Sequence, residues 1–300
     1  MTVPPRQSSF FYAAAIILLA IMLFDVMGAI IKYLGATYPA QQLSVFRNLF
    51  GLIPTAIILM STQSWKSAGR PIIIRQWKMG LLRGGVVALA QLSFYFALSN
   101  MEFATATSIA FAGPLFITAM SVPVLGMVVG KWRWLAVAVG FIGVLWVIRP
   151  ATDSFNVFAI FPLCAAFAYA TLSVTSRLFD EDVSTALVNM YSNIGGLVGA
   201  IGLVLITGAW VPIARPSDWL WLIAMGSAGG IAVFCLISAY RLADPSSLSP
   251  FEYFGIPFSF FLGWFFFAEA PFEKLIPGVF LIVGAGLIIV WREHLRKRDN

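Results

Sequence analysis

The chain has 300 residues, of which 60% are apolar and only 11% charged, with a formal net charge of +6. Soluble domains carry about 25% charged residues, so this composition excludes water as the main solvent. Crossing about 30 Å of hydrocarbon takes about 20 apolar residues in a helix, which leaves room for roughly ten spans and none for a separate soluble domain.

In chain order, apolar runs separated by short polar or Gly/Pro-containing breaks predict helices over 10–34, 42–61, 79–98, 104–127, 132–149, 156–178, 185–208, 218–242, 250–267 and 275–291. The first run is too long for a signal-peptide core and lacks a small-residue cleavage site, so it is expected to stay as the first helix. Cys164 and Cys235 lie inside apolar runs without CxxC or Cys/His spacing and read as packing residues. Trp210, Trp219 and Trp221 flank one loop as an interfacial belt would. Gly80/Gly84, Gly195/Gly199 and Gly226/Gly230 have the small-xxx-small spacing that lets helices approach, a weak signal among 25 glycines.

Ten spans place both termini on one side, and basic residues near span ends collect in the cytoplasm. Thirteen Lys and Arg then fall on the terminal side, among them Lys66, Arg70, Lys131 and the tail residues Arg292, Arg296, Lys297 and Arg298. Only Arg149, Arg215 and Lys274 fall on the other. The expectation is a multi-pass membrane protein with both termini cytoplasmic. Topology explains the basic excess, so the lipid bilayer is an expected partner and nucleic acid is not.

The halves resemble each other. Phe141-Ile142-Gly143-Val144-Leu145-Trp146-Val147-Ile148-Arg149 reads like Gly284-Ala285-Gly286-Leu287-Ile288-Ile289-Val290-Trp291-Arg292, and the same offset lays Pro114 on Pro257. Two five-helix repeats follow, 1–149 and 150–300. Because five is odd, equivalent helices enter the membrane from opposite sides, which is an inverted-topology arrangement.

Ala239-Tyr240-Arg241-Leu242-Ala243, Ser249-Pro250-Phe251-Glu252-Tyr253, Gly263-Trp264 and Phe267-Ala268-Glu269-Ala270-Pro271 resemble blocks of the drug/metabolite transporter superfamily, EamA type. So do Ala104-Thr105-Ala106-Thr107, Gly113-Pro114-Leu115-Phe116 and Leu125-Gly126 in the first half, and the likeness runs over nearly the whole chain. Members often have Leu-Gly-Glu after the fourth span; here Met127 replaces that acid, while Glu269 keeps its counterpart. Phe24-Asp25, Ile31-Lys32-Tyr33-Leu34 and Phe46-Arg47-Asn48 are similar to a bacterial branch that includes S-adenosylmethionine and riboflavin carriers, a branch too broad to name a substrate. The resemblance implies an all-α membrane protein, a basket of ten helices around a central cavity, working by alternating access.

Six residues are candidates for lining that cavity: Asp25, Arg47, Gln91, Asn189, Glu252 and Tyr253. A charge within a span is costly and should face protein or water. By helix rise, Asp25 lies about 13 Å and Arg47 about 9 Å from the outer ends of their spans, so the two could pair across adjacent helices. Such a pair would either staple the helices or serve substrate or proton binding. Glu252 sits in a segment broken by Pro250, Gly255 and Pro257, where freed carbonyls can line a cavity, with Tyr253 beside it. It could equally be an end-of-span acid paired with Arg241. Gln91, Asn48, Asn189 and Asn193 offer neutral polar groups that would serve helix packing equally well. Lys32 and Glu269 read as interfacial anchors, and Arg83 as a snorkelling side chain.

Three function classes compete: carrier, intramembrane enzyme, and structural or sensor protein. The single histidine, His294, lies beyond the last span, and no HExxH, GxSxG or phosphate-loop pattern occurs, which argues against an enzyme. No second acid shares the depth of Asp25, and no loop is long enough for an output module. A carrier of a small-molecule substrate, with no cofactor or metal, is the expectation. An amphipathic or zwitterionic metabolite would suit an aromatic cavity with a few charges. A homodimer is left open.

Overall fold

Helices follow from the solvent: hydrocarbon offers no hydrogen bonds, and a helix pairs its backbone N–H and C=O groups within one segment. The computed structural model describes residues 7–126, 130–148, 156–180, 183–243, 248–269, 276–281, 283–285 and 287, and they form helices without a strand among them. The elements are α1 (Gln7–Gly35), α2 (Ala40–Ser61), the short α3 (Gln63–Ser67), α4 (Trp77–Asn100), α5 (Phe103–Ala110), α6 (Gly113–Leu125), α7 (Lys131–Ile148), α8 (Ile160–Thr175), α9 (Thr185–Thr207), α10 (Asp218–Leu242) and α11 (Gly255–Phe267).

Among the described residues, seven stretches are long and apolar enough to cross a membrane: Phe11–Gly35, Ala40–Ser61, Trp77–Asn100, Phe103–Leu125, Val157–Leu178, Thr185–Thr207 and Asp218–Leu242. Val137–Val147 and Gly255–Phe267 are shorter apolar helices, the latter preceded by a 3-10 turn, Ser249–Phe254. The chain is thus an all-helical, multi-pass membrane protein. Of the expected span 275–291, residues 276–281, 283–285 and 287 are described.

The helix expected to run unbroken over 104–127 is instead divided at Phe111 and Ala112 into α5 and α6. Pro114 stands in the first turn of α6, where its missing N–H does no harm, and its ring would obstruct a continuous helix. The second half has a comparable break, with Pro257 two residues into α11 after the 3-10 turn.

Burial runs opposite to that of a water-soluble protein. Gln42, Asn48, Thr55, Asn189 and Ser259 are fully buried, while Leu205 is 78% and Ile206 84% exposed, which places polar groups inside and apolar ones against lipid. Packing crosses between the halves: α1 lies on α10, α2 on α9 and α10, and α4 on α8 and α9. At the α4–α9 crossing a Cβ on Gly84 would stand 2.2 Å from Gly195 Cα, so the two backbones touch. Of the small-xxx-small pairs read from sequence, Gly84, Gly195, Gly226 and Gly230 all sit at such contacts.

The end of the bundle holding Gly35, Ala40 and Asp218 is tied across the halves. Gln42 Nε2 donates to Val211 O at 2.8 Å and its Oε1 accepts from Val211 N at 3.0 Å. The Tyr38 hydroxyl donates to Asp218 Oδ2 at 2.6 Å and accepts from Ala214 N at 2.9 Å. Lys32, at the end of α1, pairs with Glu269 Oε1 at 2.7 Å and donates to Met101 O at 2.7 Å. Phe103 N donates to Glu269 Oε2 at 2.7 Å. Lys32 and Glu269, both read from sequence as interfacial anchors, form an ion pair with each other.

Candidate functional site

A cavity of about 190 Å³ lies between α1, α2, α4, α5, α6, α8, α9 and α10 and the turn before α11. Its wall includes Asp25, Arg47, Arg83, Gln91, Thr107, Tyr169, Ser173, Tyr240 and Glu252, with Phe24, Phe94 and Phe111 as apolar surface. Arg83, Ser176 and Tyr240 carry it from mid-bundle to the end where Trp77 starts α4 and Leu242 ends α10. That is the end opposite the Lys32–Glu269 pair.

Arg47 is 3% exposed and held by neutral oxygens. Its Nη1 donates to Asn193 Oδ1 at 2.8 Å and to Asn48 Oδ1 at 3.0 Å, and its Nη2 donates to Gly229 O at 3.1 Å. A Cβ on Gly229 would fall 2.8 Å from Arg47 Nε and 2.6 Å from Met27 Sδ, so a larger residue there would displace both side chains. Around this guanidinium the polar chain continues: Asn48 Nδ2 donates to Gln91 Oε1 at 2.8 Å, Ser44 Oγ donates to the same oxygen at 2.7 Å, and Asn193 Nδ2 donates to Asn189 Oδ1 at 3.2 Å. The network joins α2, α4, α9 and α10, and leaves Arg47 Nε without a partner.

The expected Asp25–Arg47 pair does not form. Arg47 turns its fork toward α9 and α10, and Asp25 Oδ2 is buried without any hydrogen-bond partner. Depth along two helices was readable, but their rotation was not. Glu252 accepts a hydrogen bond from the Tyr240 hydroxyl. Arg241 instead reaches Val183 O at 2.5 Å and Thr185 Oγ1 at 3.0 Å.

Asn189 is not on the cavity wall: its Nδ2 donates to Thr55 Oγ1 and Gly230 O, both at 3.1 Å, which is helix packing. The Tyr253 side chain lies outside the described residues. Arg83, expected to snorkel, is 6% exposed and turned inward, donating to Leu172 O at 2.7 Å and to the Thr175 hydroxyl, with the Phe179 ring 5.5 Å away. Sequence reasoning also missed Tyr169, in the middle of an apolar run, and Tyr240, which it read only as part of a family-like block.

An apolar outer surface, a polar interior and a charged, aromatic cavity within the membrane-crossing helices define a multi-pass protein that handles a small solute. The chain belongs to the EamA-like transporter family, whose model matches residues 11–149 and again 157–291. It is a small-molecule transporter. It is similar to the S-adenosylmethionine uptake transporter of Rickettsia prowazekii, 25% identical over 279 residues covering 92% of this chain and 91% of that protein. It also resembles the riboflavin transporter of Vibrio cholerae, 30% identical over 62% of each chain. The pseudopaline exporter of Pseudomonas aeruginosa is 27% identical over 89% of this chain and 92% of its own. A solved crystal structure shares the fold with a TM-score of 0.70 and 21% identity, covering 93% of this chain and 97% of that one.

Proposed function

We propose that this chain is a secondary carrier that moves a small organic metabolite across the bacterial cytoplasmic membrane by alternating access through the cavity. In this reading ten helices form two inverted five-helix repeats, 1–149 and 150–300, with both termini cytoplasmic. The double family match at 11–149 and 157–291 and the comparable helix breaks near Pro114 and Pro257 support it.

The carrying observation is the asymmetry of the cavity. Its polar wall runs toward one end of the bundle, while the other end is tied by the Lys32–Glu269, Tyr38–Asp218 and Gln42–Val211 contacts. A cavity set toward one end of the bundle, with the other end fastened, is compatible with one state of an alternating-access cycle. The fastened end is the one predicted to face away from the cytoplasm.

Counterflow in proteoliposomes tests the reading, with S-adenosylmethionine, riboflavin and a panel of amino-acid-derived metabolites as labelled solutes. Saturable exchange of at least one, absent from protein-free vesicles, is expected. No flux of any of them by folded protein counts against the carrier reading.

A further inference from the structure

Asp25 is 6% exposed, and its Oδ2 lacks a partner. It abuts the junction where the 3-10 turn passes into α11: a Cβ on Gly255 would stand 3.1 Å from that oxygen and also against the Phe111 ring. Glu252 lies three residues earlier, in the same turn. The charged and titratable groups on the shared wall are Arg47 from α2, Arg83 from α4, Tyr169 from α8, Tyr240 from α10 and Glu252 itself. Both guanidiniums are held by neutral oxygens, and Lys32, the other charge on α1, is taken by Glu269. Among the described residues, neither Asp25 nor Glu252 forms an ion pair.

A carboxylate kept from water without a partner is costly, and a counter-charge removes the cost. We propose that Asp25 and Glu252 are the cation-accepting pair of the transport path, where protons and a positively charged group of the transported molecule compete for Asp25. When that group arrives, the Asp25 carboxylic acid releases its proton to water and the resulting carboxylate keeps the organic cation in its place. Phe24 and Phe111 are on the same wall, and aromatic rings attract such a cation. The proposal rests on the cavity being the transport path.

The test is carbodiimide labelling of purified full-length protein, read by mass spectrometry. A hydrophobic carbodiimide adds to a carboxylic acid only in its protonated form: the carboxyl oxygen bonds the central carbon and the proton moves to nitrogen. Labelling of Asp25 is expected to fall several-fold as pH is raised from about 5 to about 9. At one fixed pH, S-adenosylmethionine, which carries ammonium and sulfonium charges, should protect Asp25 several-fold, whereas uncharged riboflavin should not. Protection assigns the charge to an organic cation, and pH-dependent labelling without it assigns the charge to the proton alone. A Asp25→Cys variant in a chain lacking Cys164 and Cys235 reports access through its reaction with N-ethylmaleimide. Absence of Asp25 labelling at every pH where that cysteine reacts overturns the proposal, as does a cysteine that never reacts. Labelling needs no flux, so a failure here leaves the carrier reading standing, and failed counterflow with labelling intact removes the carrier reading alone.

Discussion

Lys32 Nζ lies 2.7 Å from Glu269 Oε1, and this contact joins the end of α1 to the end of α11 across 237 positions of sequence. Each partner is also bonded at the α4–α5 connection, Lys32 through Met101 O and Glu269 through Phe103 N, and the Phe267 ring lies 5.4 Å from the ammonium. Three segments therefore meet in one polar knot at the end of the bundle away from the cavity.

Opening that end requires the knot to part. Lys32→Cys with Glu269→Cys, bridged by a bifunctional thiol reagent with a cleavable disulfide spacer, should abolish counterflow, and reduction should restore it. Glu269→Gln alone removes the charge from a mostly buried pair and should cost about 2 kcal/mol of stability. It should also raise the reactivity of a cysteine at position 25 toward a reagent added from the end bearing Asp218. Unchanged flux in the cross-linked protein would show that this end stays closed during transport.

The α4–α9 crossing makes a sharper structural prediction. A methyl group on Gly84 would meet Gly195 Cα at 2.2 Å, carbonyl carbon at 2.4 Å and Gly196 N at 2.7 Å, all backbone atoms that cannot rotate away. Gly84→Ala should cost about 2 kcal/mol or more by forcing the helices apart. Gly85→Ala, one residue on, faces open space and should be neutral or stabilising by about 0.5 kcal/mol through helix propensity. Thermal melts of the two variants in one detergent check the contrast.

Topology can be tested independently. Reporters fused after Lys78, Lys131 and Asn300 should report the cytoplasm, and one near Ser217 the far side. Reversal at two of these positions would refute the ten-span reading.

The helices were legible because about 20 apolar residues in a row have few alternatives. The break at Phe111 was less so, since a proline in a first turn looks the same in sequence as one inside a helix. Side-chain direction was not legible. Arg83 sits near a span end, where snorkelling is the ordinary outcome, and its inward turn depends on Leu172 O and Thr175, 89 and 92 residues away. Asp25 and Arg47 were matched in depth, but helix rotation set by Gly229 and Asn193 decides what Arg47 touches.

That rotation leads to the last prediction, a double-mutant cycle between Asp25 and Arg47. Had the two formed a buried ion pair, neutralising either would strand the other, and neutralising both would repair the loss. Arg47 is instead bonded to Asn48, Asn193 and Gly229 O, and Asp25 Oδ2 to nothing. Arg47→Gln should therefore cost about 3 kcal/mol, because oxygens on α2, α9 and α10 lose a charged donor together. Asp25→Asn should fold as well as the parent chain, since no neighbour is bonded to Asp25 Oδ2. The double variant should be as unstable as Arg47→Gln alone, with a coupling energy under about 0.5 kcal/mol. Chemical denaturation of the four proteins in one detergent gives the cycle, and a repair of more than about 1 kcal/mol would show that Asp25 and Arg47 share their charge after all.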